Sequence, residues 1–293
     1  MSKLLILGGS GMLGTSLASE CALGDIAYDA PRSNKLDIRK RDDVQNYIQR
    51  HKPDAIVNCA AWTDVENSES EYSKAIQLNV DAVQNIAIAA REAGLPVVHI
   101  STDYVFDGTK REAYSEGDST NPINSYGVSK MLGEKVLLGV ASENSYIIRT
   151  SWLYGVSGNN FVKTILRKAL VQERIQVVSD QVGSPTNSED LARGILAILQ
   201  KRPGTGVYHY SNTGVVSWFE FAKRIYQLAG TDVNLIEPIQ STAYPTKAKR
   251  PSRSVLSTKK WERAEISKLI VWDESLTRIF PRVLALMEGT SKR

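Results

Sequence analysis

Cysteine is scarce in this chain, and its scarcity excludes two kinds of protein. Cys21 and Cys59 are the only two among 293 residues, with no C-x-x-C spacing, so neither a disulfide framework nor a thiolate metal site can be built. Both are expected as small buried fillers. Histidine is almost as sparse: His51, His99 and His209 lie far apart, and no His-based triad or metal cluster can be assembled from them. His99, inside the apolar run 97–100, reads as a satisfied core residue. No apolar stretch reaches the roughly 18 residues of a membrane span. The four apolar residues 4–7 that follow Met1-Ser2-Lys3 run straight into Gly8-Gly9, too few for a signal peptide, so a cytoplasmic protein is expected. Strong charge of one sign is missing too. The net charge is +4, with Lys and Arg dispersed except between Lys247 and Lys260, which makes nucleic acid unnecessary and leaves only a weak pointer to a phosphate-bearing ligand.

What is present is a rhythm. Short runs rich in Val, Ile and Leu alternate with amphipathic stretches, the signature of a parallel sheet covered by helices on both faces. The expected strands are 3–7, 26–29, 55–58, 96–101, 145–150 and 175–178, six strands of one doubly wound sheet. Residues 72–93 carry apolar side chains at three- and four-residue spacing and read as one long helix, stopped by Gly94 and Pro96. After about Thr150 the rhythm loosens, with helical stretches at 160–171, 189–200 and 217–228 between longer loops; Ser217 and Glu220 form a candidate capping box. The expected organisation is α/β: a nucleotide-binding Rossmann-type unit over 1–155, and a smaller C-terminal substrate-binding lobe over 156–293, some of whose segments return to the first sheet.

The first strand runs into Gly8-Gly9-Ser10-Gly11-Met12-Leu13-Gly14, a G-x-x-G-x-x-G loop that opens a helix. Gly8 permits the tight turn, Gly11 lets the backbone approach a pyrophosphate at the positive helix end, and Gly14 lets helix and strand close up. After the second strand, Asp29 would favour the free 2′-hydroxyl of NAD, whereas Arg32 and Ser33 suit the 2′-phosphate of NADP. NADPH is the favoured reductant, with NADH left open. Tyr126 and Lys130 share one helix face by their i, i+4 spacing, and a nearby ammonium would lower the phenol's pKa. Ser101-Thr102-Asp103 ends a strand at the carboxyl edge of the sheet, where such folds hold their ligands.

Together with Asn58-Cys59-Ala60-Ala61, the stretch 101–106 and Tyr126-x-x-x-Lys130, the glycine loop resembles the extended short-chain dehydrogenase/reductase superfamily. Arg149-Thr150-Ser151-Trp152-Leu153-Tyr154-Gly155, Asn159-Asn160-Phe161, residues 180–186, and Tyr244-Pro245-Thr246 leading to Arg250-Pro251 narrow the likeness to the dTDP-4-dehydrorhamnose reductase family, over nearly the whole chain. The resemblance implies that Gly11, Met12 and Leu13 contact the dinucleotide phosphates, that Asp37 and Ile38 flank the adenine, and that Ala61, Trp62, Thr63 and Ile100 line the cofactor path. It implies Thr102 and Asp103 facing a nucleotide-sugar substrate, Trp152 against the sugar ring, Tyr126 as proton donor and Lys130 on the nicotinamide ribose. The basic segment Lys247, Lys249, Arg250 and Arg253 suits a diphosphate, with Arg250 the residue chosen from it. No clustered carboxylates fix a metal, so none is expected, and a homodimer is the assembly to test for. Dehydratases of the superfamily carry Thr-Asp-Glu where this chain has Thr102-Asp103-Tyr104, which disfavours dehydration. A 4-ketoreductase for another deoxysugar stays open, as does a non-catalytic NADP-binding regulatory subunit.

Overall fold

The computed structural model describes residues 3–291; Met1 and Ser2, which belong to the signal-peptide reading, lie outside the described residues, as do Lys292 and Arg293. The first half alternates β1 (Lys3–Leu7), α1 (Met12–Leu23), β2 (Ala27–Asp29), α2 (Arg41–His51), β3 (Ala55–Asn58), the short α3 (Val65–Ser68), α4 (Tyr72–Ile76), α5 (Ala82–Ala93), β4 (Val97–Thr102), α6 (Ser125–Ala141) and β5 (Ser145–Thr150). Six parallel strands form the central sheet in the order β2, β1, β3, β4, β5 and Gly206–His209. Because side chains alternate along a strand, Leu4 and Ile6 point to one face and join α1 and the helix Ser188–Lys201. Leu5 and Leu7 point to the other and join α5 and α6 through Val83, Ile86 and Leu137. Each of these fully buried side chains contributes about 1.5–3 kcal/mol.

Two expectations are corrected. Strand Ile175–Val178 does not enter the central sheet; it pairs in parallel with Ile236–Ile239 in a separate two-stranded sheet. Its pattern gives the reason, since Ile175 and Val177 are buried while Gln176 is exposed, whereas β1, β3 and β5 are covered on both faces. The sixth place is filled by Gly206–His209, whose returning segment also brings Ser188–Lys201 onto α1. Second, residues 72–93 are not one regular helix: Gln77–Asp81 form a π-helical turn between α4 and α5, a local widening that is frequent at functional sites. Cys21 is buried as expected, but Cys59 is only half-buried.

The later residues build a third core around Val162, Leu166, Phe221, Ile225, Ile279 and Val283. Ser217 caps the helix Trp218–Leu228 by accepting the Glu220 N–H at 3.1 Å. No helix among the described residues is long and apolar enough to cross a membrane. Strand order reverses at β1, with β2 on one side and β3 on the other, so the crevice expected of an open α/β sheet lies above the carboxyl ends of β1 and β3.

Candidate active site

At that crevice β1 turns sharply into α1. Gly8 has φ +76°, and a Cβ there would lie 2.6 Å from the Ala60 nitrogen; a Cβ on Gly14 would meet Gly8 O at 2.3 Å. The loop touches the β3 exit because Gly8 carries no side chain, and α1 closes onto the loop because Gly14 carries none. Gly11 caps α1 with its backbone only, and the first turn holds no acid. The positive helix end at Met12 and Leu13 is left to an outside anion, which fits a dinucleotide pyrophosphate.

The adenosine end differs from the expectation for Asp29. Its Oδ2 lies 2.8 Å from Lys3 Nζ and 3.0 Å from His51 Nδ1, so the carboxylate is already engaged. Arg32 is exposed, and its carbonyl accepts the N–H groups of Lys35 and Leu36 in a turn. Asp37 is gripped by Arg39, Nε to Oδ1 and Nη2 to Oδ2 at 2.8 Å each; the hydrogen bond from Arg39 holds this carboxyl below its ordinary range. Ile38 is buried, and its carbonyl accepts from Asn85 Nδ2 at 3.1 Å, which ties the segment after β2 to α5.

Ala61, Trp62 and Thr63 follow β3, and a residue outside the sequence reading positions them. Asn79, fully buried in the π-helical turn, accepts Trp62 N–H at 2.8 Å and donates to Trp62 O at 3.0 Å. Its amide also donates to Ser129 Oγ at 2.9 Å, and that hydroxyl donates to Tyr126 O at 2.7 Å. One side chain thus links the cofactor-side loop to the helix of Tyr126 and Lys130. The signal was present: Asn79 is a polar residue on the apolar stripe of Ala75 and Val83.

α6 starts at Ser125, capped by Asn124 Oδ1, which accepts Gly127 N–H at 2.7 Å. Tyr126 is half-buried beside Thr102, and loss of water around its hydroxyl pushes its phenol up to about 12. The expected acidification by Lys130 is therefore absent in this state. The Lys130 Nζ lies instead 2.6 Å from Ile100 O and 3.3 Å from His99 Nε2, and burial lowers its pKa to about 8. Thr102 also donates to Asp103 Oδ1 at 3.1 Å. Asp103 is buried, which raises it to about 7. Behind the pair, Glu134 accepts from both arms of Arg149 at 2.9 and 2.7 Å and from Ser101 Oγ at 2.5 Å, all three side chains being buried.

Asp103 Oδ2, Thr150 Oγ1 and Trp62 Nε1 are buried without a hydrogen-bond partner. Thr150 lies opposite Thr102 in the β4–β5 register. Buried polar atoms are otherwise almost always paired, so these orphans fit a site that a polar ligand completes. On the side of the C-terminal lobe, Trp152 adopts φ +47°, a strained conformation for an aromatic residue and a mark of functional positions. It stacks on Trp218 with centroids 3.5 Å apart, and a Cβ on Gly183 would lie 2.5 Å from its ring. Gly183→Ala is expected to displace this ring, raising the KM for a sugar substrate about tenfold, one lost contact of about 1.4 kcal/mol, with cofactor affinity unchanged by fluorescence titration.

Arg250 is not an unengaged anion hook. Its Nη2 lies 2.6 Å from Glu66 Oε1 and its Nη1 donates to Ala248 O at 3.3 Å; its charge also acts on Tyr104, whose ring meets that of Tyr126 edge-on at 6.1 Å. Glu66 also accepts Lys247 N–H at 2.8 Å, so the basic segment is anchored on α3. Among the described residues no group of three or more His, Cys, Asp or Glu could hold a metal ion.

The chain is similar to known proteins over nearly its whole length. Residues 2–284 match the family described as the RmlD substrate binding domain. A dTDP-4-dehydrorhamnose reductase of Aggregatibacter actinomycetemcomitans is 40% identical over 291 residues, covering 95% of this chain and 98% of the relative. A dTDP-4-keto-6-deoxy-D-glucose reductase of Streptomyces niveus is 36% identical over 95% of this chain and 96% of its own. Among solved structures, a dTDP-4-dehydrorhamnose reductase of Bacillus anthracis in complex with NADP superposes with a TM-score of 0.91 at 38% identity, covering 96% of this chain and 99% of that one.

Proposed function

The chain belongs to the RmlD substrate binding domain family, and from that premise we propose that it is an NADPH-dependent dTDP-4-dehydrorhamnose reductase, converting dTDP-4-dehydro-β-L-rhamnose to dTDP-β-L-rhamnose. The observation that carries the chemistry is the half-buried Tyr126 at the start of α6, its ring edge-on to Tyr104 and its hydroxyl acting on Thr102 at the carboxyl end of β4. When bound, NADPH supplies the hydride that goes to the sugar C4. Tyr126, fully protonated at neutral pH because burial keeps its pKa near 12, gives its proton to the carbonyl oxygen as that oxygen gains charge. Thr102 donates a hydrogen bond to the same oxygen, and Lys130 holds the nicotinamide ribose. Asp103 and Trp152 orient the sugar, and Arg250 faces its diphosphate. Carbonyl, hydride and proton together give the secondary alcohol and NADP⁺.

In this reading residues 1–155 hold the dinucleotide and residues 156–293 cover the sugar nucleotide, with Gly11, Met12 and Leu13 on the phosphates. NADPH is a cytoplasmic reductant, which supports a cytoplasmic location. Engagement of Asp29 by Lys3 and His51 removes the carboxylate that would repel a 2′-phosphate and supports Arg32 as its partner. Arg32→Ala is therefore expected to raise the KM for NADPH about 10–100-fold, the worth of a hydrogen bond to a charged group, and to leave that for NADH nearly unchanged. Equal loss with both cofactors would remove Arg32 from the 2′-phosphate.

A second reading, reduction of another 4-ketosugar, is favoured by the identity to the Streptomyces niveus reductase. The two are separated by following NADPH consumption with dTDP-4-dehydrorhamnose and with dTDP-4-keto-6-deoxy-D-glucose side by side. Turnover several-fold or more faster with the first supports the rhamnose assignment; preference for the second overturns it.

A further inference from the structure

Behind Lys130 lies a side-chain pair that the reaction steps above do not use. Asn58, the last residue of β3, and His99, in β4, are 1% and 0% exposed. Their contact is Asn58 Nδ2 to His99 Nδ1 at 3.1 Å, and His99 Nε2 lies 3.3 Å from Lys130 Nζ.

The orientation of the Asn58 amide is set from outside the pair. Its Oδ1 accepts the Ala60 N–H at 3.1 Å; turning the amide over would set N–H against N–H and leave a buried donor unpaired, at a cost of about 1–3 kcal/mol. The Asn58 amide therefore points a donor at His99 Nδ1, and that nitrogen must be the acceptor. A neutral imidazole has one acceptor and one donor, so the proton is on Nε2, the nitrogen facing Lys130. An ammonium group there would set a donor against a donor. A neutral amine can accept from Nε2–H through its lone pair and still donate to Ile100 O, 2.6 Å away.

We propose that Asn58 and His99 are positioning residues that disfavour the ammonium form of Lys130: with the His99 proton fixed on Nε2, the amine form accepts a hydrogen bond from Nε2–H, whereas the ammonium form meets a donor. Burial acts in the same direction: it takes His99 well below its ordinary range and lowers Lys130 to about 8. The other groups facing Lys130 do not reverse this. Cys59, at the β3 exit, is a thiol raised to about 12 by burial, and Glu134, one turn along α6, is already held by Arg149. Tyr126, on the same helix, is a protonated phenol.

The consequence for catalysis rests on the reductase reading, but the test does not. Long-range proton–nitrogen NMR of the resting protein distinguishes the two histidine tautomers, and three histidines make assignment by single substitutions simple. His99 is expected as the Nε2–H tautomer throughout neutral pH. In Asn58→Asp the new carboxylate accepts from Nδ1, so the proton moves there, Nε2 becomes an acceptor, and Lys130 is held as ammonium. Its titration, followed at carbon-13-labelled lysine Cε and assigned with Lys130→Met, should rise by about one unit or more, a tenfold change or greater in the equilibrium. In His99→Phe the tautomer signal disappears, and adding Asn58→Asp should then move Lys130 by much less. A wild-type His99 protonated on Nδ1, or on both nitrogens, overturns the proposal, as does a Lys130 titration that Asn58→Asp leaves in place. Both readouts are taken without substrate, so either failure would leave the reductase reading untouched, and a missing turnover would leave the tautomer intact.

Discussion

Tyr126→Phe is expected to lower kcat with dTDP-4-dehydrorhamnose by about 10²–10⁴-fold, the usual worth of a positioned general acid, while NADPH affinity changes by less than about twofold, an effect below ~0.4 kcal/mol. The split follows from what the hydroxyl does. It faces Thr102, and the ring's own packing is edge-on to Tyr104 at 6.1 Å, a contact phenylalanine preserves. Thr102→Val removes one hydrogen bond to the developing oxyanion and is expected to cost less, about tenfold. Steady-state kinetics with a parallel fluorescence titration of NADPH check both. A Tyr126→Phe protein that keeps most of its turnover would move proton delivery to another group, and buried Asp103, raised to about 7, would be the next to test.

The largest stability effect is expected one turn beyond Lys130. Glu134→Ala should destabilise the protein by about 3–5 kcal/mol, the range for removing one partner of a buried ion pair. Arg149 is 4% exposed; without Glu134 its guanidinium retains the Phe106 ring at 5.1 Å and His209 Nε2 at 3.5 Å, neither of which carries negative charge. Burial and the neighbouring Arg149 push His209 down to about 3, so it stays neutral and cannot add repulsion. Ser101 loses its acceptor as well. Replacing both members, Glu134→Met with Arg149→Met, should recover part of the loss because no unpaired charge is left. Urea unfolding of the two variants beside wild type measures this, and a double variant no more stable than Glu134→Ala would count against the unpaired charge as the cause.

The parts of the site legible in the sequence are those whose geometry is local. The glycine loop needs only β1, a turn and the start of α1, and the i, i+4 spacing of Tyr126 and Lys130 needs only a helix. What escaped depends on partners distant along the chain. Gly206–His209 gives little apolar signal over four residues and is a sheet strand only because β5 has an edge to pair with. The π-helical turn at Gln77–Asp81 is invisible to a periodicity of apolar residues, although Asn79 interrupts the stripe that the same periodicity identifies. His99 looked like a core residue, and it is buried; its relation to Lys130 and Asn58 arises where β3, β4 and α6 meet. The sequence points Arg250 at a diphosphate, but a one-letter pattern does not place Glu66 beside it.

The proposed reaction stands on hydride delivery to a single carbon. NADPH carrying deuterium at the reactive C4 position of the nicotinamide, incubated with the purified chain and dTDP-4-dehydrorhamnose, tests this most directly, with the product read by NMR and mass spectrometry. The expected product is dTDP-rhamnose with one deuterium, all of it at the sugar C4, and no such product forms with Tyr126→Phe over the same time. Deuterium at another carbon, or NADPH bound and left unoxidised by the wild-type protein, would contradict the reductase assignment.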